Sequence, residues 1–103
     1  KVPQKIGARV PSSWLAYARR GHLFIKKFAY DPDAEYPDLG STVEVFANDV
    51  FLELETLGPM QVIRPGSAIE HVEDWYLFRD APTPHNDAQV ERHVLTRIVE
   101  TGV

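Results

Sequence analysis

Glu44, Glu53 and Glu55 lie in the stretch VEVFANDVFLELETLGP, residues 43–59, among large apolar residues in a segment that otherwise has the composition of a buried strand. Carboxylates in that setting can accept hydrogen bonds from hydroxyls or act as a general base, provided a cation or donor lies close by. With Asn48 and Asp49 as a two-residue turn, the pattern pairs Phe46 with Phe51, Val45 with Leu52, Glu44 with Glu53 and Val43 with Leu54. Side chains alternate across a strand, so Val43, Val45, Val50, Leu52 and Leu54 form an apolar core face. Glu44, Phe46, Phe51, Glu53 and Glu55 share the other face, where like charges on neighbouring strands need a counter-ion.

The run HLFIKKFAY, residues 22–30, supplies one: it alternates His22, Phe24, Lys26, Phe28 and Tyr30 against Leu23, Ile25, Lys27 and Ala29, and Lys26 is the expected cation. A surface mixing His, Lys, Glu, Phe and Tyr suits a polyhydroxylated ligand, whose C–H faces stack on rings while its hydroxyls exchange hydrogen bonds. On local pattern alone, a solvated sheet face explains the same charges. A second chemistry starts from RPGSAIEHVEDW, where His71 and Glu73 stand two apart on one strand face, as in cupin-type metal barrels. Two ligands are too few, and His85 and His93 fall in a loop and a helix, so no metal or other cofactor is expected.

Short runs must position these residues. WLAYARR and HLFIKKFAY are β-prone and meet at Gly21 as a hairpin would; DPDAEYPDLG is loop chemistry; STVEVFA, VFLELETLG, MQVIRPG and AIEHVEDWYLFR read as further strands. After Pro84 the period changes: Val90, Val94, Leu95 and Ile98 mark a helix over about 87–100, with Asn86 and Gln89 as a capping box and Gly102 as a stop. Six or seven strands over about 5–79 followed by one helix predict a mainly β fold, an antiparallel β-sandwich or bent sheet with one C-terminal α-helix, in a single domain over residues 1–103.

Composition narrows the partners. Eleven basic against fifteen acidic residues leave a net charge of −4, which argues against a phosphate-backbone partner, so no nucleic acid is expected. The chain has no cysteine, hence no disulfide, thiolate zinc site or thiol nucleophile, and it has no apolar run of the roughly 18 residues a membrane span needs. A soluble, cytoplasmic protein with no membrane partner is the expectation.

Residues 14–78, carrying YPDLG, LELETLGP, PG and HVEDW in that order with KIG upstream, resemble the C-terminal half of an uncharacterised bacterial family with a galactose-mutarotase-like, or aldose 1-epimerase-like, β-supersandwich. The resemblance implies a sugar on the concave face. In active members of that wider class a carboxylate is the base on the anomeric hydroxyl and a histidine protonates the ring oxygen. Glu53 or Glu55 of LELE matches the carboxylate, with Glu44 beside it. Lys26, Phe46, Phe51 and His71 are then the expected binding residues. His22 and His71 fit the acid by chemistry rather than by motif, because the family's catalytic histidine comes from the half upstream of this region. Ser41 stands where many relatives have cysteine. The expectation is a non-catalytic or vestigial carbohydrate-binding domain. An active epimerase-like enzyme and a homo-oligomeric structural β-protein are the alternatives. Half a supersandwich leaves an apolar face and open edges, which a homodimer would cover.

Overall fold

Arg20 and Gly21 both take left-handed backbone angles, with φ of 51° and 78°. Two such residues in succession make the tight reversal whose twist matches that of the flanking strands, which joins β2 (Trp14–Arg19) to β3 (His22–Phe28) as the sequence predicts. The computed structural model describes residues 2–102, and among them are six strands and one C-terminal helix of 14 residues. The fold is mainly β, with two three-stranded antiparallel sheets, and no helix among the described residues is long and apolar enough to cross a membrane.

The chain divides into two units, of which the first comprises the residues up to Leu15 and Phe28–Glu73. Its sheet contains β1 (Gln4–Ala8), β4 (Val43–Ala47) and β5 (Leu52–Thr56) in the order β1-β4-β5, so β4 is central and bonded on both sides. Thr42, fully buried just before β4, extends that arrangement: its N–H donates to the Ala8 carbonyl at 2.9 Å and its carbonyl accepts from Leu57 N–H at 2.8 Å. Its hydroxyl accepts from Val10 N–H at 2.8 Å, so a buried polar side chain is satisfied. Val43, Phe28 and Tyr36 are the buried large residues of this unit. The Tyr36 hydroxyl accepts from Asp31 N–H at 3.0 Å, as a buried phenol requires.

The predicted MQVIRPG strand does not form. Pro59 and Pro65 each remove a ladder donor, and Arg64–Ser67 closes a turn around Gly66, whose φ is 83°. β-branched composition produces a strand only where a partner is within reach, and the predicted AIEHVEDWYLFR strand shortens to β6 (Glu73–Phe78) for the same reason.

The second unit, Ala16–Lys27 with the chain from Asp74 onward, is built on the sheet order β2-β3-β6. Leu23 and Ile25 of β3 are buried, and so is Val94 of the helix. Lys27 lies on the same side of β3 as Leu23 and Ile25 and donates to the Thr101 hydroxyl at 2.6 Å, tying the end of the helix to the strand. Asn86 caps the helix by accepting the Gln89 N–H at 2.9 Å. The Gln89 side chain reaches back one residue beyond the expected box and accepts the His85 N–H at 2.8 Å. Replacing Asn86 with Ala leaves that donor without its cap, and the loss expected in urea unfolding is about 1 kcal/mol, with the strands' circular dichroism unchanged.

Candidate functional site

The reversal after β4 sets the site, and it differs from the predicted two-residue turn. Asn48 turns its side chain onto the loop, where Oδ1 accepts from both Val50 N–H and Phe51 N–H at 2.8 Å, while Asn48 N–H donates to the Phe51 carbonyl at 3.1 Å. A local side chain to backbone pair of this kind competes with the ladder for the same donors, so four residues rather than two form the connection. The register is therefore Ala47↔Leu52, Phe46↔Glu53, Val45↔Leu54, Glu44↔Glu55 and Val43↔Thr56. The shift is an even number of residues, so every side chain keeps its predicted side. Glu44 faces Glu55 instead of Glu53. Val50 leaves the apolar face for the loop and is 86% exposed. Phe51 also leaves the strand, yet its ring stays 5.7 Å from that of Phe46.

β1 completes this face from the other side, with Lys5 opposite Phe46 and Gly7 opposite Glu44. Lys5 supplies a cation to Glu44: its Nζ lies 3.0 Å from Glu44 Oε1. The hydrogen bond with Glu44, then the charges of Glu44, Glu55 and Asp38, raise the Lys5 pKa above its ordinary 10.5. Glu44 is only 4% exposed, and its Oε2 is shut off from solvent with no hydrogen-bond donor among the described residues. A buried carboxylate oxygen left in that state is costly, since it has lost water and gained nothing in return.

Glu44 lines a cleft of about 490 Å³ together with Lys5, Arg9, Asp38 and Ser41. Gly7 keeps it open: a Cβ there would stand 2.7 Å from Ser41 Oγ. The wall formed by residues 37–40 has left-handed backbone at Asp38, Leu39 and Gly40, with φ of 51°, 63° and 87°. Each non-glycine residue in that region costs about 1–2 kcal/mol. The turn is held by Ser41, whose N–H donates to the Pro37 carbonyl at 2.9 Å and whose hydroxyl donates to the Asp38 carbonyl at 2.8 Å. Arg9 lies against two stacked rings, 5.1 Å from the centre of Tyr30 and 5.3 Å from that of Tyr36. Its Nε donates to the Tyr30 hydroxyl at 2.8 Å and its Nη2 to the Pro32 carbonyl at 3.3 Å.

The other predicted residues are distributed as follows. Glu55 is half-buried beside Glu44, and Glu53 is exposed across from Phe46. His71 does not join them. Its Nε2 lies 2.7 Å from the Thr56 hydroxyl, which in turn donates to Glu73, and Thr56 pairs with Val43 on the opposite face of the sheet from Glu44. The His71–Glu73 pair therefore converges on a threonine, and no group of three or more His, Asp or Glu able to hold a metal occurs among the described residues. His22 and Lys26 belong to the second unit, where Lys26 lies over the Trp75 ring at 5.4 Å and His22 contacts the Arg20 carbonyl. Lys5 and Arg9 are the functional candidates that the sequence reading passes over. The signal available for them is the alternation of Lys5, Gly7 and Arg9 in QKIGARV. The chain matches no protein-family model, no curated protein and no solved structure.

The Lys5 pair has a pH signature. A raised folded-state pKa contributes stability that is complete below 10.5 and is lost as the pH climbs through the raised value. Urea unfolding from pH 8 to 12 should show wild type more stable than Lys5→Met at the low end, with the gap closing above pH 10.5. A gap of constant width would mean that the ion pair contributes nothing.

Proposed function

We propose that the protein is a non-catalytic carbohydrate-binding domain of mutarotase-like descent whose ligand occupies the Glu44 cleft. The observation that carries this reading is Glu44, which lines the cleft and whose Oε2 is a buried acceptor without a donor among the described residues. A sugar hydroxyl supplies the missing donor when the Glu44 side chain shifts to bring Oε2 into the cleft, and the Lys5 ammonium, on a flexible stem, follows the carboxylate. Epimerisation needs a proton donor that titrates near neutral pH beside the base; the cleft lining holds no histidine, and the raised pKa of Lys5 makes its ammonium a poor acid. Differential scanning fluorimetry across a panel of monosaccharides should raise the melting temperature for at least one of them, and Glu44→Gln should abolish that rise. Polarimetry on the same sugars should show no faster mutarotation than buffer. A panel without any shift refutes the reading.

Self-association is supported by a separate feature. Among the described residues β6 ends its sheet, and it exposes Leu77 at 72%, so a strand edge coincides with an apolar side chain. A second copy pairing along β6 would satisfy its backbone edge and bring its own side chains beside Leu77. Sedimentation equilibrium should give twice the 11.7 kDa chain mass, and Leu77→Lys should return it to one.

A further inference from the structure

We infer that the ligand of the Glu44 cleft is a sugar acid, and that Arg9 reads its carboxylate. This rests on the carbohydrate reading and specifies the class of sugar.

The lining charges are not equivalent. Lys5 is committed to Glu44 at 3.0 Å, and the two neutralise each other. Among the described residues Arg9 has no carboxylate within ion-pair distance, and its hydrogen bonds from Nε and Nη2 go to neutral oxygens. Nη1 makes no hydrogen bond among the described residues and lies near Gly40, where an added Cβ would approach it to 3.6 Å. Stacked on Tyr30 and Tyr36, the guanidinium is held in position before any anion arrives. Arginine suits such a place because its planar fork matches a carboxylate and loses little freedom on binding when its orientation is already fixed.

Position along the strand separates the two functions. Lys5, Gly7 and Arg9 follow one another at every second residue, and Glu44 stands opposite Gly7 between them. A ligand lying over Gly7 has Glu44 across from it and Arg9 two residues, or roughly 7 Å of backbone, further along, just past the end of β1. That spacing fits a single pyranose ring bearing an acid group. Asp38, on the strained wall, adds a second acceptor for hydroxyls.

Isothermal titration of the full chain with galactose against galacturonate and glucose against glucuronate tests the inference, with acetate and inorganic phosphate as anions lacking the sugar hydroxyls. At least one uronate should bind about tenfold tighter than its neutral counterpart, as expected for one charge-assisted pair. Arg9→Gln should level the two, and Arg9→Lys, which keeps the charge without the fork, should retain only part of the preference. Both variants are checked for folding by circular dichroism. Equal affinity for a neutral sugar and its acid overturns the inference while leaving the carbohydrate reading in place. Acetate or phosphate binding as tightly as the uronate overturns it as well, because the hydroxyls are then not recognised. Binding of none of these ligands overturns both.

Discussion

One carboxylate placed in the middle of a sheet constrains the first unit. Glu44 sits on the central strand β4, where both neighbours are bonded and water is excluded, so its charge has to be met by residues within the sheet. Lys5 meets one oxygen from the adjacent strand, and it can do so because β1 pairs antiparallel to β4 in the register that brings Lys5 and Gly7 to that side. Breaking this register by one residue would send Lys5 to the opposite face and strand the carboxylate. The buried, fully bonded Thr42 at the base of β4 fixes the same register, with Ala8 on one side and Leu57 on the other.

The features legible in the sequence are those decided locally. Gly21 after Arg20 implies a tight hairpin, and Asn86 with Gln89 implies a helix start, because each depends on a few backbone groups within four residues. The side assignment of Glu44, Phe46, Glu53 and Glu55 is equally legible, since strand alternation survives any even shift. What strand alternation does not reveal is how many residues a loop contains. Asn48 followed by Asp49 fits a two-residue turn, yet the Asn48 side chain takes two backbone donors and lengthens the connection to four. The identity of the counter-ion was beyond reach for another reason. Lys5 and Lys26 are both alternating lysines on β-prone runs, and only the long-range pairing of β1 with β4, across about forty residues, distinguishes them.

Strain and vacancy occur together in this unit. Asp38 and Leu39 hold left-handed backbone without being glycine, and Leu39 places its side chain entirely in solvent, so no apolar burial offsets the cost at that position. Such conformations persist where surrounding contacts over-determine them. Here the Ser41 bonds to Pro37 and Asp38 supply that restraint. The same serine occupies the space that any side chain at position 7 would need, so Gly7 and the strained turn depend on each other.

Catalysis and recognition place different demands on such a cleft, and the geometry separates them. A base and its acid must reach neighbouring atoms of one bound substrate, which favours both on one face of the sheet. His71, the histidine of this unit among the predicted site residues, is bound to Thr56, whose side chain leaves β5 on the face turned away from Glu44. Thr56 could reach the other face only by a one-residue slip of β5, which would also carry Leu54 and Glu53 to opposite faces. Glu44, held through Oε1 by Lys5, and Arg9, held against two tyrosine rings, stand by contrast on one side of the sheet as a fixed carboxylate and a fixed cation.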